Sequence, residues 1–525
     1  FWLKPFWLKS FWPEPFGRRP LHPSHSWAIS GHIAQARSCR GRCLARMSVS
    51  VAEVEVDGHQ SAENSTDEDE EKMYPWWKAA LIALPQMGVQ VMWMFLGPNT
   101  TPYLKSLGAT EAQATLNNSA GPIVGFFVGP LVGAWSDQST SKWGRRRPII
   151  VAGLVSTLVA GILYSGAEQI MGKGNGLYLA AVMQWVLDFT VNAMQTPFRA
   201  LVSDLVAPKQ QRPMQIFFSV VCAVGGFIAF SIMKMYAISI HHMLELMSVV
   251  LAINVVCVGA ALSVATEKQY VRTGNVSKSV CGPLAGMSAG FKGMPKAFYL
   301  LLFISCLVWM GNTVWGAYGK VWFTHTVFPG NPEAAQGTLE HDVYVVGADA
   351  FSTAGQIGSI FQLPLALAFM GLSLTKIPSH LIYGPCILVG AVVCFLSAFL
   401  VGHSNVLATI CFVLSNVPLT AAGSIPYAIV AVWSQAAVQA GNVGSVAMQM
   451  AILNCCITVG QQICTMTLGG LESYEQVDPA LRDLFIISTA ANAVAGVCAF
   501  FLACGSAGPA AAKASTDTSD ESDDC

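Results

Sequence analysis

Beyond Tyr74, stretches of about 20 apolar residues recur about twelve times, each long enough to cross a hydrocarbon core of roughly 30 Å. Lipid offers no partner to a backbone N–H or C=O, so windows of this length must fold as helices that satisfy their own main chain. The expected spans are 76–97, 118–136, 148–167, 177–199, 214–236, 243–265, 298–322, 346–371, 377–401, 406–433, 444–468 and 483–505. Composition agrees, because 11% charged residues is under half the usual share of a soluble protein. The chain reads as an all-α integral membrane protein of twelve transmembrane helices in two six-helix bundles.

The longest polar interruption, Glu267 to Lys296, sets the boundary between the halves. This gives a first bundle over 76–265, a central cytoplasmic loop over 266–297 and a second bundle over 298–505. Residues 47–75 and 506–525 read as cytoplasmic tails, the first of them disordered because it is acidic and polar. Residues 1–46 carry the repeat FWLKP-FWLKS-FWPEP and then an arginine-rich stretch. They are expected to stand outside the fold, as a transit peptide or as the product of a gene start placed upstream of Met47. Basic residues gather at Lys142 to Arg147, at Lys209 to Arg212 and from Lys268 to Lys296, which is every second connection. Those connections are therefore expected in the cytoplasm, with both termini inside.

The fourth span carries Asp188, Asn192, Gln195, Pro197 and Arg199 in otherwise apolar sequence. A carboxylate at mid-bilayer costs about 2.5 to 3.5 kcal/mol on insertion scales, so it is kept mainly where it faces a bundle interior or a watery cavity. Offsets of 4, 7 and 11 residues from Asp188 place Asn192, Gln195 and Arg199 on the same helix face. Pro197 is expected to kink the helix and free a carbonyl near Ala193. The alternative is a buried polar cluster that joins helices and does nothing more.

Between the second and third spans lies Gly133-Ala-Trp-Ser-Asp137, followed by Lys142-Trp-Gly144-Arg145-Arg146-Arg147-Pro148. This resembles the signature loop of the major facilitator superfamily. Further segments are similar to the glycoside, pentoside and hexuronide cation symporter group, and within it to plant-type sucrose:proton symporters. They include Gly88-Val89-Gln90, Trp93, Thr101-Pro102-Tyr103, Gly121-Pro122 and the polar set of the fourth span. In the second half, Pro418-Leu419, Ser424 to Ala428, Leu453-Asn454 and Gln461 add to the likeness. The family's seventh helix ends in an aspartate with an adjacent arginine and glutamate. Here Gly316 to Gly330 offers Lys320, His325 and Thr326 instead, and the first outer loop has Ala109 to Ala112 where the family often has a histidine.

The resemblance implies the major facilitator fold and proton-coupled uptake of sucrose or a related glucoside or disaccharide. It makes Asp188 the proton-coupling residue and Arg199 a residue of sugar recognition. Eleven residues is about 16 Å along a helix, so Arg199 cannot pair with Asp188, and a place in the inner gate stays open for it. Asn192 and Gln195 join the expected substrate contacts. Gln90, Asn454 and Gln461 join them too, since an amide offers hydroxyls both a donor and an acceptor. Trp93, Trp185 and Tyr427 are candidates to stack on a sugar ring. Gly133, Asp137, Arg145, Arg146, Arg147 and Asp204 are the expected cytoplasmic gate.

No cofactor is expected, and no metal, since no cysteine pair has zinc-ligand spacing with histidine nearby. Gly172 to Gly176 lacks the Lys-Ser/Thr ending of a phosphate loop. Paired catalytic groups are missing from the spans, so an enzyme is not expected, and no basic stripe suits nucleic acid. The expected partners are the sugar, the proton and the bilayer, with no oligomer required. The expected location is the plasma membrane, with a vacuolar or plastid membrane as alternatives. A vesicular or vacuolar sugar exporter and a sugar sensor that does not transport are the rival readings.

Overall fold

A computed structural model describes residues 73–235, 242–267, 269, 291, 294–331, 334–373, 375, 377–439, 446–468 and 477–505. The leader, the first tail up to residue 72, the tail over 506–525 and most of the central loop lie outside the described residues. Among the described residues, fifteen α-helices follow in chain order. The first eight are α1 (Trp76–Ser106), α2 (Glu111–Asn118), α3 (Ala120–Gln138), α4 (Arg147–Ser165), α5 (Ala167–Met171), α6 (Asn175–Leu205), α7 (Pro208–Met235) and α8 (Met243–Val264). The rest are α9 (Lys296–Val321), α10 (Leu339–Ser373), α11 (Ser379–Phe399), α12 (Asn405–Leu414), α13 (Asn416–Gln439), α14 (Val446–Leu468) and α15 (Val477–Ala499). A π-helical turn, Trp322–Val327, continues α9, and a 3-10 turn, Phe500–Gly505, follows α15.

Among the described residues, eleven helical stretches are long and apolar enough to cross a membrane. The expected span at 444–468 is present as α14, a 23-residue helix that carries Gln449, Asn454, Gln461 and Gln462. Helix α1 runs nine residues beyond its expected end, past Pro98 and Pro102. Asn99 and Thr100 return side-chain bonds of 2.8 and 2.9 Å to the carbonyls of Phe95 and Leu96 on the way.

Helix α6 is assigned as one helix through Pro197. The breaks fall elsewhere, at Ser119 between α2 and α3 and at Ser415 between α12 and α13. Each break is followed three residues later by a proline, Pro122 or Pro418, in the first turn of the next helix. The N–H that proline lacks has no intrahelical partner there, so it starts a helix without harming it.

Helix α1 packs on α7 and α8, while α6 packs on α3 and α4; α9 packs on α14 and α15, and α11 on α15 and α13. Helices from residues 76–264 meet those from 296–505 mainly along α7 with α10 and α13, and along α3 with α14. The α3–α14 seam depends on Gly125, where an added Cβ would stand 2.9 Å from Thr458 Cγ2 and 3.2 Å from Asn192 Oδ1. Small residues at such seams let backbones approach where lipid provides no hydrophobic drive.

Candidate functional site

A cavity of about 360 Å³ lies among α1, α6, α7, α9, α10, α13 and α14. Three of these helices present polar groups to it at helical spacing. On α1 these are Gln86 and Gln90; on α6, Gln184, Asp188, Asn192, Gln195 and Arg199; on α14, Asn454, Thr458, Gln461 and Thr465. All seven residues expected to hold proton or substrate, Gln90, Asp188, Asn192, Gln195, Arg199, Asn454 and Gln461, therefore line one space. The two helix breaks border it as well, since Asn118, Gly121, Pro122, Ser415 and Asn416 are in the lining.

Asp188 is 4% exposed, and among the described residues no ion pair reaches its carboxylate. Gly121 of α3 faces it, since a Cβ added there would come 3.8 Å from Asp188 Oδ1. Asn192 donates from Nδ2 to the Asp188 backbone carbonyl at 2.9 Å, which fixes the amide one turn below the carboxylate.

Arg199 is 7% exposed, with its guanidinium carbon 4.0 Å from the Tyr427 ring centroid and 4.9 Å from that of Phe218. The stack leaves its Nε and Nη1 without hydrogen-bond partners. It joins α6 to α13 and takes no part in the charge network around Asp204. Tyr427 in turn donates from its hydroxyl to Asn454 Oδ1 at 3.4 Å. Trp93 and Tyr427 line the cavity, whereas Trp185 stands outside it and donates from Nε1 to Asn117 Oδ1 at 3.0 Å.

The residues expected to form the gate gather at the end of the protein that carries the basic loop. Arg146 is 2% exposed and lies between two carboxylates, paired with Asp137 and donating from Nε to Asp204 Oδ2 at 2.9 Å. Its Nη1 donates to Ser136 Oγ at 2.7 Å. Burial alone would lower the Arg146 guanidinium, but the Asp137 and Asp204 carboxylates outweigh it and hold the group above its ordinary pKa. Arg145 pairs with Asp204 at 2.8 Å. Arg147 does not join them and donates instead to the Leu262 carbonyl at 3.0 Å, while Gly133 is buried on α3. The backbone N–H groups of Arg146 and Arg147 donate to the Glu267 carboxylate, a partner the sequence reading missed. All these partners lie between residues 136 and 267, so the network ties α3, α4, α6 and the end of α8 to one another.

In the stretch Gly316 to Gly330, Lys320 donates to Asn99 Oδ1 at 3.1 Å, joining α9 to α1. Thr326 donates to Asp478 Oδ1 at 2.5 Å, and His325 Nδ1 lies 3.4 Å from the same oxygen. The sequence reading also passed over Gln86, Trp309, Asn312, Gln362 and Asn416 in the lining. Their one signal was a polar side chain in mid-span, which serves helix joining equally well.

No family model matches the chain. It is 24% identical over 444 residues to the sucrose transport protein SUC4 of Arabidopsis thaliana, covering 74% of this chain and 82% of that one. To the sucrose transport protein SUT4 of Oryza sativa subsp. indica it is 36% identical over 169 residues, 29% of this chain and 28% of the relative. Among solved structures it resembles the E. coli fucose:proton symporter, with a TM-score of 0.54 at 15% identity, covering 82% of this chain and 99% of that one. The human organic anion transporter MFSD10 gives a TM-score of 0.59 at 13% identity, covering 81% and 100%. At these identities the structural likeness speaks for fold.

Proposed function

We propose that this relative of the plant sucrose transport proteins, a multi-pass membrane protein of the major facilitator fold, carries sucrose or a related glucoside through the central cavity together with a proton. The supporting observation is the cavity itself, where a buried carboxylate without a cation partner faces amides contributed by α1, α6 and α14. Sugar hydroxyls each donate and accept, and amides meet both needs. Asp188 takes up the proton, and Gln90, Asn192, Gln195, Arg199, Asn454 and Gln461 hold the sugar.

The two six-helix halves, 76–265 and 298–505, rock about this midplane site, as in transporters built from repeats. A bare carboxylate in an apolar interior is costly, so the conformation with Asp188 protonated passes more readily between the two openings. The basic-loop end faces the cytoplasm, which puts both termini inside and fits uptake at the plasma membrane. Asp137, Arg145, Arg146 and Asp204 keep the cytoplasmic end of the first half rigid, so that it moves as one body. A potential of 100 mV supplies about 2.3 kcal/mol per charge and one pH unit about 1.4 kcal/mol, enough together for a gradient of several hundred-fold. One chain is a sufficient unit.

The test is uptake of labelled sucrose, maltose and glucose by cells producing the full chain, at two external pH values. Accumulation of sucrose that rises as the outside is acidified is expected. Absence of uptake of all three sugars at both pH values, with the protein present in the membrane, would overturn the reading.

A further inference from the structure

We infer that Asn312, with Trp309 one turn away on α9, is a specificity-determining contact that grips a pair of neighbouring hydroxyls on the cargo; this rests on the sugar-transport reading above. Asn312 is 5% exposed and lines the cavity, yet neither its Nδ2 nor its Oδ1 has a hydrogen-bond partner. The indole Nε1 of Trp309, also in the lining, is unpartnered too. Other polar residues of the same helix are satisfied: Ser305 donates to the Leu301 carbonyl at 2.8 Å and Thr313 to the Trp309 carbonyl at 2.6 Å.

Asn254 of α8 joins helices by donating to the Gly88 carbonyl of α1 at 3.1 Å, and the unmet amides Gln449 and Gln462 of α14 lie outside the cavity lining, whereas Asn312 is both unmet and in it. Asn312 makes no such bond. A buried polar group left unmet costs about 1 to 3 kcal/mol, so an amide and an indole N–H left open side by side point to a ligand that completes them. The amide presents one donor group and one acceptor close together, which suits two adjacent hydroxyls.

Packing holds the pair in place. Position 311 is glycine, and an added Cβ there would overlap the Asn492 amide of α15, so α9 is pressed close to α15 on that side. Its cavity face then runs Trp309, Asn312, Thr313, Gly316, at helical spacing. Because α6 supplies contacts from the first half and α9 from the second, one bound cargo bridges both, and its binding would draw the halves together.

The experiment is uptake by full-length protein of sucrose and a set of monodeoxy sucrose analogues, in the parent, Asn312→Ala and Trp309→Phe. In Asn312→Ala the KM for sucrose is expected to rise about tenfold, the size expected for a lost buried hydrogen bond. One or two analogues that are poor substrates of the parent should suffer no further loss in that variant, because the hydroxyl they lack is the one Asn312 holds. Trp309→Phe keeps the ring and removes only the N–H, and should raise KM several-fold; it also supplies a reading if Asn312→Ala fails to reach the membrane. A structural role would lower uptake of every analogue by the same factor, and that pattern overturns the inference while leaving sugar transport intact. If the parent itself takes up none of these sugars, the sugar reading fails and this inference with it.

Discussion

Two buried arginines on neighbouring parts of the first half are treated in opposite ways. The Arg146 guanidinium lies between Asp137 and Asp204 with Ser136 beside it, each of these partners charged or polar. Arg199 lies against two aromatic faces, with Nε and Nη1 unpartnered in the lining of a cavity. A satisfied buried charge is costly to break and holds structure. A half-satisfied one is poised for a partner that comes and goes. The basic-loop network thus ties the helices around it together, and the cavity holds the unmet polar groups on which the proposed function rests.

The largest effect expected from this contrast is at Asp188. Asp188→Asn should abolish accumulation of sugar against a gradient, at least a hundred-fold loss, while leaving folding intact and downhill exchange measurable. The amide is nearly isosteric but cannot take up and release a proton near neutral pH. Sugar-induced proton currents would vanish. Retention of concentrative, pH-dependent uptake by this variant would remove Asp188 from the coupling step.

The second effect sets the two arginines against each other. Arg146→Gln takes the buried cation from between Asp137 and Asp204, leaving Asp204 to Arg145 alone, and should cost about 3 to 5 kcal/mol, seen as a large fall in Tm of the detergent-solubilised protein. Arg199→Gln loses only a stack on Tyr427 and Phe218, about 0.5 to 2 kcal/mol, so its Tm should move little. Uptake should show the reverse in kind: Arg199→Gln raises KM at normal expression, whereas Arg146→Gln lowers the amount of folded protein with KM unchanged in what remains. Equal falls in Tm would break the comparison.

The contrast was only half legible in the sequence. Apolar windows and loop charge located the spans, because both follow from the bilayer and need no tertiary information. The polar face of α6 was readable too, since helical periodicity alone puts Asp188, Asn192, Gln195 and Arg199 together. What periodicity does not carry is the direction a face points. Asn312 and Gln362 read like any amide in a span until packing turns them to the cavity, and Glu267 reads as a loop acid until chain folding brings it under the Arg146 and Arg147 N–H groups. Likewise the Ser119 and Ser415 breaks were hidden inside apolar windows, although the proline three residues after each was in view.

The smallest effect tests whether the cavity region depends on movement as well as on unmet polar groups. Gly125 and Gly129 stand one turn apart on α3 and both face α14, but they differ in room. An added Cβ at Gly129 would meet Thr196 Oγ1 at 3.6 Å and Asn454 Nδ2 at 3.8 Å, which is ordinary contact. At Gly125 it would press on Thr458 Cγ2 at 2.9 Å and Asn192 Oδ1 at 3.2 Å, in the seam between the two halves. Gly129→Ala should therefore change Tm and uptake little, whereas Gly125→Ala should cost about 1 to 3 kcal/mol in any state where α3 and α14 are closed on each other. If the halves separate along this seam during transport, that cost falls on one conformation only, and it should appear as a shift in cysteine labelling from one side of the membrane as well as in Tm. A fall in Tm of the same size in both variants would mean that α3 and α14 fit no more tightly at Gly125 than one turn below, and the seam would lose its claim to be the tight point between the halves.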